Sequence, residues 1–400
     1  MMCPQSTGCC AAQRERLALV ASVSLFCADG IMVFYGEVQD RFGPLACFLI
    51  GEFFVLFGFF GFGLQKNNDF IFSVLLTFLA LGGPGIFMGC LGLSDLYPSL
   101  EPAIAAATAS AFDASALVFV LVSFFAKKMH ASLEYAFFIW TVICFIFGIF
   151  VFLYLRTKRD QHKKAHSSIS LLEDQASLPE ESRVWQHFKR RDTILLVTFM
   201  AMYNLKSSFF IETATEQARI FQSSTSQLFD LAFPLGGFLS SFLVAARLRH
   251  SDALDIVALL SNLLCIAHLF PFKSSQILAA LLFGPARTFQ WATYFHYFYS
   301  SKNSYPSAVV GRLLGYSNLV IALLSDTIVP VLVAFVQIDD DSNTPSKKRH
   351  RFFCVNTFLA ALVASTSIPL LLQHRFPHQQ HRNSSTHRRQ IVSFGLSTVF

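Results

Sequence analysis

Eleven long apolar runs dominate this chain, and no water-soluble architecture accommodates them. A helix that crosses a bilayer needs about 20 predominantly apolar residues. Runs of that kind fall at 17–36, 45–65, 70–96, 103–126, 132–155, 193–213, 226–246, 253–272, 275–299, 309–336 and 352–373, and Tyr135–Leu155 carries no charge at all. Each is predicted to be helical, because lipid offers no other partner for its backbone N–H and C=O groups. Leu17–Gly36 is long for the apolar core of a signal peptide and is interrupted by Asp29, so it is read as a retained span. Composition agrees. Only 14% of residues are charged, against about 25% in soluble domains, and 46 Phe residues suit a surface packed against lipid tails. The expected fold class is therefore all-α and integral to a membrane, with the bilayer itself as the chain's largest partner.

The runs fall into two groups. Residues 1–16 form a polar N-terminal segment, 17–155 hold five spans, 156–192 are hydrophilic, 193–373 hold six spans, and 374–400 form a tail. The central segment carries Arg156, Lys158, Arg159, Lys163, Lys164, Arg183, Lys189, Arg190 and Arg191 among Ser and Gln, so it reads as a flexible linker. By the positive-inside rule that linker is cytoplasmic. Alternation then places the C-terminus in the cytoplasm and the N-terminus outside. Arg375, Arg382, Arg388 and Arg389 in the tail agree, whereas Lys347, Lys348, Arg349 and Arg351 fall on the outer side, partly offset by Asp339, Asp340 and Asp341. Which membrane holds the chain is left open.

Two stretches about 200 residues apart match in order and context. Gly83-Pro84-Gly85-Ile86-Phe87 is followed by Tyr97-Pro98-Ser99, and Gly284-Pro285-Ala286-Arg287-Thr288-Phe289 by Tyr305-Pro306-Ser307. Glycine and proline interruptions at corresponding places in two halves are the expected pointer to a transporter's binding site, where helices loosen around a cavity. Charged groups inside spans are expensive and point to function; here they are Asp29, Glu52, Asp113, Lys206, Arg287 and Asp326. Asp113 and Arg287 both follow the interruptions, and are candidates to pair with each other or with the charges of a solute. Tyr203, Asn204 and Lys206 fall within one helical turn, and Gln290 shares a helix with Arg287. On that helix Trp291, Tyr294, Phe295 and Phe298 are read mainly as packing, as are His268 and His296. The nine Cys residues form no framework, and no metal-ligand spacing, phosphate loop or nucleophile elbow occurs. Neither enzymatic chemistry, nor a cofactor, nor nucleic-acid binding is expected.

The most informative local motif is Gly36-Glu37-Val38-Gln39-Asp40-Arg41-Phe42-Gly43-Pro44. Its Gly-x-x-x-Asp-Arg-x-Gly pattern resembles the signature loop of the major facilitator superfamily. The Phe-Gly-Pro ending, Cys47-Phe48-Leu49-Ile50-Gly51, Leu93-Ser94-Asp95-Leu96-Tyr97-Pro98, Ala111-Phe112-Asp113-Ala114-Ser115 and Arg287-Thr288-Phe289 resemble solute carrier family 43 in particular. The resemblance covers most of 17–373. It implies a two-bundle helical fold and secondary transport by alternating access, of large neutral amino acids or nucleobases. It also implies a gating motif of Gly36, Asp40, Arg41 and Gly43. In it the two glycines allow a tight turn, and Asp40 meets the positive end of a helix near Gly311–Arg312 across the domain interface. The substrate candidates are then Asp113, Tyr203, Asn204, Lys206, Arg287 and Gln290.

One departure stands out. The superfamily has twelve helices, and here the signature loop follows the first span instead of the second. A truncated gene model, an eleven-helix transporter and a degenerate membrane protein with a scaffold or regulatory role all remain open, the first being the preferred reading.

Overall fold

The computed structural model of the chain describes residues 7–65, 68–128, 132–166, 180–221, 225–248, 252–300, 305–337 and 345–375, and among them every regular element is helical. Residues 167–179 of the linker, the segments 249–251 and 301–304, and the tail 376–400 lie outside the described residues. Helices α1 (Thr7–Gly30) and α2 (Met32–Phe42) make the first span, followed by α3 (Pro44–Leu64) and α4 (Asp69–Leu91). A short α5 (Leu93–Leu96) and a 3-10 turn (Pro98–Leu100) lead into α6 (Glu101–Ala114) and α7 (Leu117–Lys128), which are bent by 43°. Helix α8 (Leu133–His166) runs into the linker, where α9 (Glu180–Phe188) lies. Then come α10 (Arg191–Ile220), α11 (Thr225–Leu248), α12 (Ala253–Leu269), α13 (Lys273–Tyr299), α14 (Ser307–Ser325) with α15 (Val329–Gln337), and α16 (Pro345–Arg375). Among the described residues eight spans are long and apolar enough to cross a membrane, and the bent α6–α7 pair makes a ninth. The 17-residue α12 and the 27-residue α13 bring the total to about eleven, matching the apolar runs.

Local chemistry sets the boundaries. Gly43 takes φ +84°, a conformation open to glycine at little cost; it ends α2, and Pro44 starts α3 with the φ that the first helical position requires. The side chain of Asn68 accepts the N–H groups of Phe70 and Ile71 at 3.0 and 3.2 Å, capping α4. Burial sorts the spans by place. Only 11% of the apolar window of α8 is buried, against 72% for α10, so α8 lies at the lipid-facing edge and α10 at the centre. Phe147 and Phe150 of α8, like Phe53 and Phe57 of α3, accordingly face outward.

The glycine–proline stretches behave differently from expectation. Helices α4 and α13 run through Pro84 and Pro285 without a break. Their small residues serve instead to bring helices together: a Cβ on Gly284 would meet the Gly237 amide nitrogen of α11 at 2.8 Å. The breaks come elsewhere, each at or just after an acidic residue. Ile31 interrupts α1–α2 after Asp29, residues 115–116 separate α6 from α7 after Asp113, and a turn at 326–328 separates α14 from α15 at Asp326.

The linker also differs from a structureless connection. Helix α9 packs on α14, with Val184 buried and the Trp185 ring stacked 5.8 Å from that of Tyr316. His187 lies edge-on to Tyr305 at 5.4 Å. Burial, and secondly the charge of Arg190, push its imidazole below the ordinary histidine value. A base whose folded pKa is depressed loses folded-state stability as pH falls through its unfolded value, about 6.5. Limited trypsin cleavage at Arg183 and Lys189 should therefore quicken in the wild type relative to His187→Gln when both are compared at pH 6 and at pH 7.5, and Val184→Asp should quicken it at both. Equal ratios at the two pH values would show that His187 does not report on α9 docking.

Candidate functional site

The helices before the linker meet those after it along a seam, and one closely packed part of that seam is built on Asp40. Asp40 stands at the end of α2 with its side chain 2% exposed. Its Oδ1 accepts the Gly311 N–H at 2.9 Å, and its Oδ2 accepts the Arg312 N–H at 2.9 Å and the Arg312 Nε–H at 3.0 Å. These donors lie in the second turn of α14, which begins at Ser307. Arg312 is buried and also lies 3.9 Å from Glu37 Oε2, while Glu37 pairs with Arg41.

Such an approach is possible because neither helix has a side chain in the way. A Cβ on Gly311 would sit 2.5 Å from Asp40 Oδ1, one on Gly36 would meet the Gly311 carbonyl carbon at 2.7 Å, and one on Gly315 would meet the Met32 carbonyl oxygen at 2.6 Å. Gly311-Arg312-Leu313-Leu314-Gly315 is thus a small-residue face of the kind that lets membrane helices touch through their backbones. Further bonds cross the seam at this end: Gln39 Nε2 donates to the Tyr299 hydroxyl at 2.7 Å, and His296 Nδ1 lies 2.5 Å from Glu101 Oε1. Toward the far end of α10, Ser22 Oγ donates to Glu212 Oε1 at 2.9 Å.

Midway between these ends, Arg287 of α13 reaches Asp113 of α6. Arg287 Nε donates to Asp113 Oδ1 at 3.0 Å and Thr288 Oγ1 donates to Oδ2 at 3.1 Å, with both charged side chains buried. Beside the pair lies a partly open cavity. Asp29, Phe87, Phe112, Arg287, Trp291 and Phe295 are among the residues that line it. Two buried donors in this wall have no protein partner, Arg287 Nη1 and Trp291 Nε1. The Phe87 and Phe295 rings are 4.5 Å apart, and Phe295 stacks on Trp291 at 5.6 Å. On the α10 side, Asn204 Nδ2 donates to Ser325 Oγ at 2.9 Å, to Asp326 Oδ1 at 3.2 Å and, more weakly, to Asp29 Oδ2 at 3.4 Å. The arrangement offers a cationic donor, a carboxylate and flat apolar walls to one small occupant. Among the described residues no cluster of His, Cys, Asp or Glu is placed to hold a metal.

The helical pattern matches a known family along most of its length: the family model described as Major Facilitator Superfamily covers residues 13–330. The chain belongs to this superfamily. Its fold is that of the solved facilitators. The human organic anion transporter MFSD10 superposes with a TM-score of 0.60 at 14% identity, over 88% of this chain and 83% of that one. The proton:xylose symporter XylE gives 0.60 at 14%, over 91% and 86%, and the E. coli fucose:proton symporter FucP gives 0.56 at 14%, over 90% and 93%. Among curated proteins, FMP42 of Saccharomyces cerevisiae is 26% identical over 115 residues, a match spanning 28% of this chain and 23% of that protein.

Within this facilitator the candidate residues separate by place. Asp113 and Arg287 come together, and Arg287 faces the cavity. Asn204 ties Asp29 to Asp326 at its edge. Tyr203 and Gln290 are buried, and neither is among the cavity-lining residues. Lys206 points to the other face of α10, toward Asn356 of α16. Gly36 is not part of a turn but a packing position inside α2, and Gly43 alone makes the turn. Arg41 is 67% exposed and bonds to Glu37, leaving Arg312 as the cation on Asp40. Gly315 escaped the sequence reading as a contact residue, although Gly-x-x-x-Gly was there to be seen, and Arg312 was expected only as part of the helix end and not as the cation on Asp40. The seam pair Glu101–His296 carries no sequence signal.

Asp113→Asn should leave the buried guanidinium without its hydrogen-bonded counter-charge and cost roughly 3–5 kcal/mol. The melting temperature of the purified protein should fall accordingly, and adding Arg287→Gln should recover most of the loss. Additive losses in the double variant would contradict the pair.

Proposed function

We propose that this facilitator moves small dipolar solutes across its membrane by alternating access, with amino acids bearing bulky neutral side chains as the first class. The observation that carries the reading is the wall of the central cavity. Arg287 spends Nε on Asp113, and its remaining buried Nη1 is available to a solute carboxylate. Asp29 is the acceptor for an ammonium group, and Phe87, Trp291 and Phe295 offer apolar faces to a side chain. The resemblance to solute carrier family 43 supports the same class. Nucleobases are the second reading, favoured by the stacked Trp291 and Phe295 rings and the free indole N–H.

In this account two bundles, 17–155 and 193–373, rock about the cavity, and the basic linker marks the cytoplasmic side. Asp40 on α14 is the gate on that side, with Gly36 and Gly43 shaping α2 and Arg41 steadying Glu37. The Gly311–Arg312 contact must break each time that side opens. Lys206 and the buried Tyr203 and Gln290 lie behind the cavity wall.

Reconstituted into liposomes, the protein should show saturable uptake of labelled leucine or phenylalanine. Arg287→Gln should lower uptake kcat/KM by about 100-fold, as expected for losing a buried charge-assisted bond of roughly 3 kcal/mol. Uptake of purine bases but of no amino acid would move the assignment to the second class. Absence of saturable uptake of either class would favour a non-transporting scaffold.

A further inference from the structure

Lys206 is a buried cation that the solute pathway leaves unexplained. It follows Asn204 by two positions, so the two side chains leave α10 on opposite faces. Asn204 faces the Asp29–Asp326 side, while Lys206 enters the interior between α10, α12 and α16. The side chain is 1% exposed, and Nζ donates to Asn356 Oδ1 at 2.8 Å. Among the described residues no carboxylate lies within 4.0 Å of it. Glu212, further along α10, is taken up with Ser22.

The groups nearby offer donors from an amide, a phenol and an imidazole, the last with one N–H and one acceptor nitrogen in its neutral form. Asn356 Nδ2, the Tyr203 hydroxyl and both ring nitrogens of His268 are buried without a hydrogen-bond partner. The titratable groups in electrostatic reach of Lys206 are Cys265 and His268 of α12, with Tyr203 beside Cys265. The ring of Phe210 packs against the His268 imidazole with centroids 4.0 Å apart, linking α10 to α12 at this level. Asn356 Oδ1, the amide acceptor, is already used by the ammonium. None of Lys206, His268 and Asn356 is among the residues lining the central cavity.

An ammonium held in such a place without a counter-charge is destabilising by several kcal/mol, and buried charges are as a rule paired. We propose that the missing partner is a small inorganic anion of about chloride size. Lys206 Nζ and Asn356 Nδ2 hold it, with a donor from His268 or Tyr203, and it stabilises the helices that follow the linker. The site is separate from the solute cavity and stands independently of which solute the protein carries.

The test is thermal unfolding of the purified full-length protein at constant ionic strength, with chloride or bromide titrated against methanesulfonate. A ligand that binds only the folded state raises the melting temperature in a saturable way. The wild type should show that rise with both halides, and Lys206→Met should show none. Should Lys206→Met fail to fold, Asn356→Ala should raise the half-saturating chloride concentration by about 10-fold, the loss of one charge-assisted contact. No halide response in the wild type, or an unchanged response in the substituted protein, would overturn the proposal; so would a melting temperature that depends on pH alone.

Discussion

The seam between the two sets of helices depends on one carboxylate. Asp40 gives up its water to lie against α14, and what makes that tolerable is three N–H donors, two from the backbone and one from Arg312. Hydrogen bonds to a charged group contribute roughly 1.5–3 kcal/mol each, enough to hold two helices together. The geometry is shared with three glycines. Without Gly36, Gly311 and Gly315 the backbones of α2 and α14 could not come close enough for the carboxylate to reach the amides.

The central pair follows the same logic at greater depth. Arg287 and Asp113 belong to helices on opposite sides of the seam, and each would be costly in lipid alone. Thr288 satisfies the second carboxylate oxygen, which fixes the fork so that the remaining Nη1 is left for something else. Three spans break at or just after an intramembrane Asp. Backbone groups freed at such breaks are tolerated where protein or a cavity can satisfy them, and Asp29, Asp113 and Asp326 all stand at or beside the cavity wall.

Much of this was legible in the sequence because the bilayer is a strict filter. Apolar runs of sufficient length can only be helices, so all eleven were placed. The Asp40 contact with Gly311–Arg312 and the pairing of Asp113 with Arg287 were anticipated, one from a motif and one from the cost of buried charge. What sequence did not reveal depends on helix rotation. Asn204 and Lys206 look like one polar turn when written in a line, but a separation of two residues sends them to opposite faces. Pro84 and Pro285 look like breaks, yet in a packed membrane helix neighbouring groups absorb the lost hydrogen bond. Helix α9 went unseen because a basic, polar segment conceals the few apolar side chains that dock it, Val184 among them.

The account rests on Asp40 keeping the linker side of the seam closed, and a distance across that seam tests it most directly. Spin labels at Phe42 of α2 and Lys189 beside α10, both exposed, report on it by pulsed electron resonance. The wild type should give one short distance distribution, and Asp40→Asn should add a longer population. An unchanged distribution in Asp40→Asn would contradict the role given to this carboxylate.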